Sequence, residues 1–119
     1  MKVAIATEGN VVSSHFARCQ SFIVLNIEDG KLVNETVIQN PGHRIDFLPR
    51  FLKEENINCV VAGGMGIRAR ELCENFAIKT ILRVSGNTSN VITDLVRGTL
   101  EEGERLGRPG SGKDDYCAF

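Results

Sequence analysis

Apolar positions in this chain follow two rhythms. Short continuous runs mark strands, and runs spaced by three and four mark helices. Val3-Ala4-Ile5-Ala6 predicts a strand over Lys2 to Thr7. Two more follow, Phe22 to Ile27 and Leu32 to Ile38, joined by Glu28-Asp29-Gly30-Lys31. Asp-Gly at that place is a strong hairpin signal, because both residues accept positive φ. Asn58 to Ala62 predicts a fourth strand and Lys79 to Arg83 a short fifth. Leu48, Phe51 and Leu52 share one helical face, and Pro49 fits only a first turn, so that helix should begin near Leu48. Ala69, Leu72, Cys73 and Phe76 form the stripe of a second helix over Ile67 to Asn75. Ile92, Leu95, Val96 and Thr99 form that of a third, with Thr88 as its expected N-cap. Between the first two strands, Glu8 to Gln20 reads as a long polar loop.

The predicted order is β, β, β, α, β, α, β, α. The hairpin should be antiparallel to the first strand. Later strands should return parallel to it through right-handed helical crossovers. The expectation is one α/β domain with a mixed five-stranded sheet and three helices packed on it. Strands ending at Thr7, Ala62 and Arg83 would then bring Glu8 to His15, Gly63 to Gly66 and Ser85-Gly86-Asn87 to one edge, where open α/β sheets usually hold ligands.

Length and charge narrow the classes. At 119 residues with 42% hydrophobic and 24% charged side chains, one core is expected without staples. Residues 1–102 should form the domain. From Gly103 the chain turns glycine-rich and polar, and residues 103–119 read as a mobile tail. A formal net charge of -1 offers no electrostatic footprint for nucleic acid. No run is long enough to span a bilayer, and the start runs straight into a strand, so a cytoplasmic protein with reduced cysteines is expected. No exposed apolar stripe stands out, which suggests a monomer or weak homo-oligomer.

The stretch Ala62-Gly63-Gly64-Met65-Gly66-Ile67-Arg68-Ala69 carries the most chemistry. A glycine turn between strand and helix leaves backbone N–H groups uncovered, and the helix start adds partial positive charge. Such a corner suits an anion. Together with Ser13-Ser14-His15-Phe16-Ala17-Arg18 followed by Phe22, and Ile78-Lys79-Thr80 with Gly86, this stretch resembles the dinitrogenase iron–molybdenum cofactor biosynthesis family, the NifX/NafY-type domain. The resemblance covers roughly residues 1–102. It implies a ribonuclease-H-like fold and non-enzymatic binding, carriage or delivery of an iron–sulfur or molybdenum/iron–sulfur cluster. Its partners would be metallocofactor assembly or recipient proteins. Ala17 stands where that family usually has glycine, and a positive φ there would be strained.

Within this frame the cofactor-binding candidates are Ser14, His15, Gly63, Gly64, Met65, Gly66 and Arg68. His15 could supply an imidazole ligand from the long loop. Cys19 is four residues on, and would share a face with His15 if the loop formed a helical turn. Thiolate and imidazole together suit iron or copper. His43, after Pro41-Gly42, and Cys117, in the tail beside Asp114 and Asp115, are further ligand candidates. Met65 offers a thioether or caps the core, while Arg68 and Arg70 offer charge. Cys59 and Cys73 read as small core hydrophobes.

Other chemistries fit less well. Gly64-x-Gly66-x-x-Ala69 satisfies a bare dinucleotide pattern, but the next strand ends without the carboxylate that would hold a ribose. Two-metal phosphoryl chemistry needs converging carboxylates, and Val3 to Thr7 has none. Nothing assembles a nucleophile, base and orienting group. Two alternatives stay open: a metal-free protein–protein regulatory module with a purely structural glycine turn, and a small anion or nucleotide binder using that turn.

Overall fold

A computed structural model describes residues 1–42, 47–98 and 100. The elements are β1 (Lys2–Glu8), β2 (Val11–Val12), β3 (Ser21–Glu28), β4 (Lys31–Gln39), α1 (Phe47–Glu54), β5 (Cys59–Val61), α2 (Ile67–Asn75), β6 (Lys79–Ile81) and α3 (Thr88–Arg97). The mixed sheet has the order β4-β3-β1-β5-β6, with β2 added beside β1. β1 pairs antiparallel with β3 and parallel with β5, and β5 pairs parallel with β6. The hairpin joins β1 antiparallel through β3, and β5 and β6 return parallel to β1, as expected. The sheet has six strands rather than five, because Val11–Val12 folds back on Thr7 and Glu8 from within the expected loop.

The two sheet faces follow the alternation along β1 and β3. Ala4, Ala6, Phe22 and Val24 point to one side, where Leu48 and Leu52 of α1 and Ala69 and Cys73 of α2 cover them. Val3, Ile5 and Leu25 point to the other, where Val91 and Leu95 of α3 pack. β1 is buried on both faces, which explains its unbroken apolar run.

Local chemistry closes the helix ends. Asn87, not Thr88, caps α3: its side-chain oxygen accepts from the Ser89 amide at 2.8 Å. Thr88 is already helical and buried, so the inward stripe is Thr88, Val91 and Leu95, with Ile92 and Val96 at its margin. After α2 the chain turns through Ala77 at φ 60, with the Ala77 amide bonded to Glu74 O at 3.0 Å and the Ile78 amide to Cys73 O at 2.8 Å. Those paired bonds recover carbonyls the helix end would leave unsatisfied.

β4 departs from expectation in another way. It is a sheet-edge strand on which only Ile38 is half-buried. Leu32 is 38% exposed, Val33 60% and Val37 59%. An apolar strip therefore does lie on the surface, at the sheet margin. The expectations for residues 103–119, His43 and Cys117 lie outside the described residues.

Candidate functional site

Three loops meet at the carboxyl ends of β1, β5 and β6, and main-chain hydrogen bonds lock them together. Ser13 wedges between the ends of β1 and β5: its amide donates to Ala6 O at 2.7 Å, and its carbonyl accepts from the Gly63 amide at 2.8 Å. One step on, the Phe16 amide donates to Gly64 O at 2.9 Å. Gly63 O accepts from the Arg83 amide at 2.9 Å, which draws in the loop after β6. The Val12 amide bonds Gly86 O at 3.0 Å and the Thr88 amide bonds Asn10 O at 2.8 Å, so the start of α3 joins the same assembly.

Gly63 sits at the centre of this knot for a steric reason. A Cβ there would lie 2.8 Å from Ser14 Cα and 3.0 Å from Ser13 O. Gly66 is different. Its φ of -65 and ψ of 158 suit any residue, and a Cβ would meet nothing within 4 Å. One glycine permits a close approach, whereas the other borders open space.

Gly66 also begins α2 with no side-chain cap. The first intrahelical bond there runs from the Arg70 amide to Gly66 O at 3.0 Å. Among the described residues, no protein atom accepts from the amides of Gly64, Met65, Gly66, Ile67, Arg68 or Ala69. The Gly63 amide, by contrast, is capped by Ser13. The anion corner expected from sequence thus starts one residue later than its first glycine.

The loop holding His15 is braced by Ser13, whose hydroxyl accepts from the His15 amide at 3.1 Å and lies 3.4 Å from a Glu8 carboxylate oxygen. Ser14 and His15 are exposed, and Phe16 is buried beneath them against Phe22. Ala17 is not among the residues with positive φ, so its methyl group is accommodated without backbone strain. Ser13 belongs to the motif that carries the resemblance but not to the candidate ligands, and its role is to brace the loop. Its signal was a hydroxyl two residues before His15, a spacing that closes a side-chain turn.

Cys19 and His15 do not share a face: no helix forms between β2 and β3, and His15 is exposed while Cys19 is 1% exposed. The Asn40 side-chain amide holds the Cys19 carbonyl at 2.8 Å. Burial above all pushes the Cys19 thiol up to about 11, a shift that keeps it protonated at neutral pH. Burial likewise pushes Cys73, on α2, up to about 12. Met65 is 5% exposed and packs in the core beneath the turn, with its thioether among apolar side chains. Arg68 is exposed on the first turn of α2, while Arg70 reaches down the helix to Glu74 at 3.8 Å. Among the described residues, no three His, Cys, Asp or Glu side chains converge as a metal site.

The two thiols make alkaline stability a test of this packing. Both have folded pKa values above the ordinary 9.0, so between pH 9 and 12 the unfolded chain releases protons that the folded chain keeps. Stability should be intact below pH 9 and fall as pH rises through 11 and 12, by on the order of a few kcal/mol. Urea unfolding across that range measures it, and Cys19→Ser with Cys73→Ala should flatten the slope.

A family profile described as "Dinitrogenase iron-molybdenum cofactor" matches residues 1–98. The crystal structure of the protein PH0822 superposes with a TM-score of 0.80 at 32% identity, covering 87% of this chain and 95% of that one. A solution structure of a Thermotoga protein, provisionally described as NifB, superposes with a TM-score of 0.68 at 26% identity, covering 92% of this chain and 98% of that one. The uncharacterised protein MJ0580 of Methanocaldococcus jannaschii is 25% identical over 109 residues, which is 87% of this chain and 92% of its own.

Proposed function

Because the chain belongs to the dinitrogenase iron–molybdenum cofactor family, we propose that it binds and hands on a metal–sulfur cluster during cofactor assembly, without catalysing a reaction. The observation that carries this reading is the run of uncapped amides from Gly64 to Ala69 beside the braced His15 loop. Iron–sulfur and molybdenum/iron–sulfur clusters carry net negative charge. Neutral N–H donors at a helix start stabilise such a cargo without trapping it in a salt bridge. Arg68 adds charge complementarity at the rim.

His15 supplies the single directional bond, from an imidazole nitrogen to a metal atom at the cluster surface. One protein ligand with a set of amides suits temporary custody. A resident cluster is usually held by several thiolates, and the buried protonated Cys19 is poorly placed to be one. The remaining metal sites of the cargo stay available to the donor or recipient protein.

Anaerobic reconstitution with iron, sulfide and molybdate should give a visible absorption band that co-elutes with the protein. His15→Ala should weaken binding about ten- to hundredfold, the worth of one strong polar bond. A protein that stays colourless under all three additions rules the cargo reading out and favours the metal-free module.

A further inference from the structure

Four described residues other than glycine hold a positive φ: Asp29, Asn56, Ala77 and Arg83. Aspartate and asparagine tolerate that conformation through their short polar side chains, and Ala77 closes α2. Arg83, at φ 59, is a long side chain on a strained backbone. The conformation itself has a structural purpose. Leu82 enters the core beneath α1 and α2, whereas Val84 enters the one beneath α3. Residues two apart on an extended strand share a face, so the left-handed residue between them turns the chain over. Glycine would make that turn without strain, as Gly86 does at φ 103. The backbone therefore explains the conformation but not the arginine.

Its location supplies a reason for the side chain. The Arg83 amide donates to Gly63 O at 2.9 Å, which ties its main chain to the peptide whose N–H, on Gly64, opens the uncapped run. Arg83 is half-buried, and its Nε and Nη2 atoms are shielded from water. A guanidinium so placed acts through a lower effective dielectric than an exposed one. The segments that meet at this edge, residues 8–20, 63–66 and 83–87, carry Glu8, Arg18 and Arg83, and Arg68 follows on α2. Three arginines to one carboxylate stand here, although the whole chain has a net charge of -1. We propose that Arg83 is the charge-selecting residue of the candidate site and gives it a preference for anions bearing two or more negative charges. This rests on the cluster-binding reading of the same edge and names the residue that discriminates among cargoes. The attraction of a full fixed charge grows with the charge on the ligand. The partial charges of the amides discriminate more weakly.

Molybdate, a tetrahedral dianion, is the probe, titrated into the isotope-labelled full chain and followed by NMR. The amides of residues 64–69 and the Arg83 Nε–H should shift together and saturate. Perchlorate, the same shape with one charge, should bind at least about tenfold more weakly. Arg83→Gln should weaken molybdate binding about ten- to hundredfold and narrow the gap between the two anions. Arg83→Gly should do the same while unfolding within a few degrees of wild type, because relief of the left-handed strain offsets the lost side-chain contacts. Unchanged molybdate affinity in Arg83→Gln overturns the proposal, as does a wild type whose Arg83 Nε–H does not shift. A fall of about ten degrees or more in the thermal midpoint of both variants also overturns it, since the guanidinium is then a structural prop. Anaerobic cluster reconstitution on the same proteins separates this from the reading it rests on. Molybdate selected by Arg83 without cluster uptake sustains the charge selection and removes the cargo. A cluster held equally well by Arg83→Gln sustains the cargo and removes the charge selection.

Discussion

Gly63→Ala should lower stability by about 1–3 kcal/mol, the usual cost of forcing a methyl group into filled space. For a domain of this size that means a fall of several degrees in the thermal midpoint, at about 4–8 °C per kcal/mol. The added carbon would sit 2.8 Å from Ser14 Cα, and neither backbone can yield alone. Gly63 donates to Ser13 O and accepts from the Arg83 amide, so moving it loosens both neighbouring loops. Hydrogen exchange gives a second readout. The amides of Phe16 and Arg83 should lose protection together, while those of β3 stay protected. An unchanged midpoint would show that the knot at Gly63 is softer than its geometry states.

Gly66→Asp should act in the opposite direction on the fold and destroy cargo binding. The backbone at Gly66 already has an N-cap conformation, and nothing lies within 4 Å of the new Cβ. An aspartate there caps the first-turn amides with its own carboxylate and complements the helix dipole. The gain is a few tenths of a kcal/mol to about 1 kcal/mol. The same carboxylate occupies the donors an anionic cluster would use and repels it, which should weaken binding by at least about a hundredfold. Gly66→Ala separates the two effects, since it adds a carbon without a charge and should retain most of the binding. Full cargo loading by the aspartate variant would show that these amides are not the cradle.

The pair of glycines also shows how far the sequence could be read. Apolar runs and stripes were enough to place the hairpin, the three helices and the meeting of three loops at one edge, because burial alone dictates those patterns. What Gly63 and Gly66 each do was not legible, since identical residues in one turn answer to neighbours remote in sequence. Cys19 shows the same limit. The four-residue spacing from His15 gives a shared face only on a helical turn, whereas Phe16 is buried against the core and Asn40 holds the Cys19 carbonyl. Strand β2 is two residues long and carries no periodic signal; only its pairing with Thr7 and Glu8 of β1 makes it a strand. The exposure of β4 is not written in its sequence, because the apolar pairs Leu32-Val33 and Val37-Ile38 also suit a buried strand. An edge is a property of the assembled sheet.

The bonds from Val12 to Gly86 and from Thr88 to Asn10 fasten the hairpin of β1 and β2 to the first turn of α3. That helix lies on the sheet face opposite α1 and α2. The fold thus possesses a latch between its two sides. The strap around His15 cannot lift far without unhooking α3, and discharge of whatever rests there would be felt across the molecule as a loosening at Thr88.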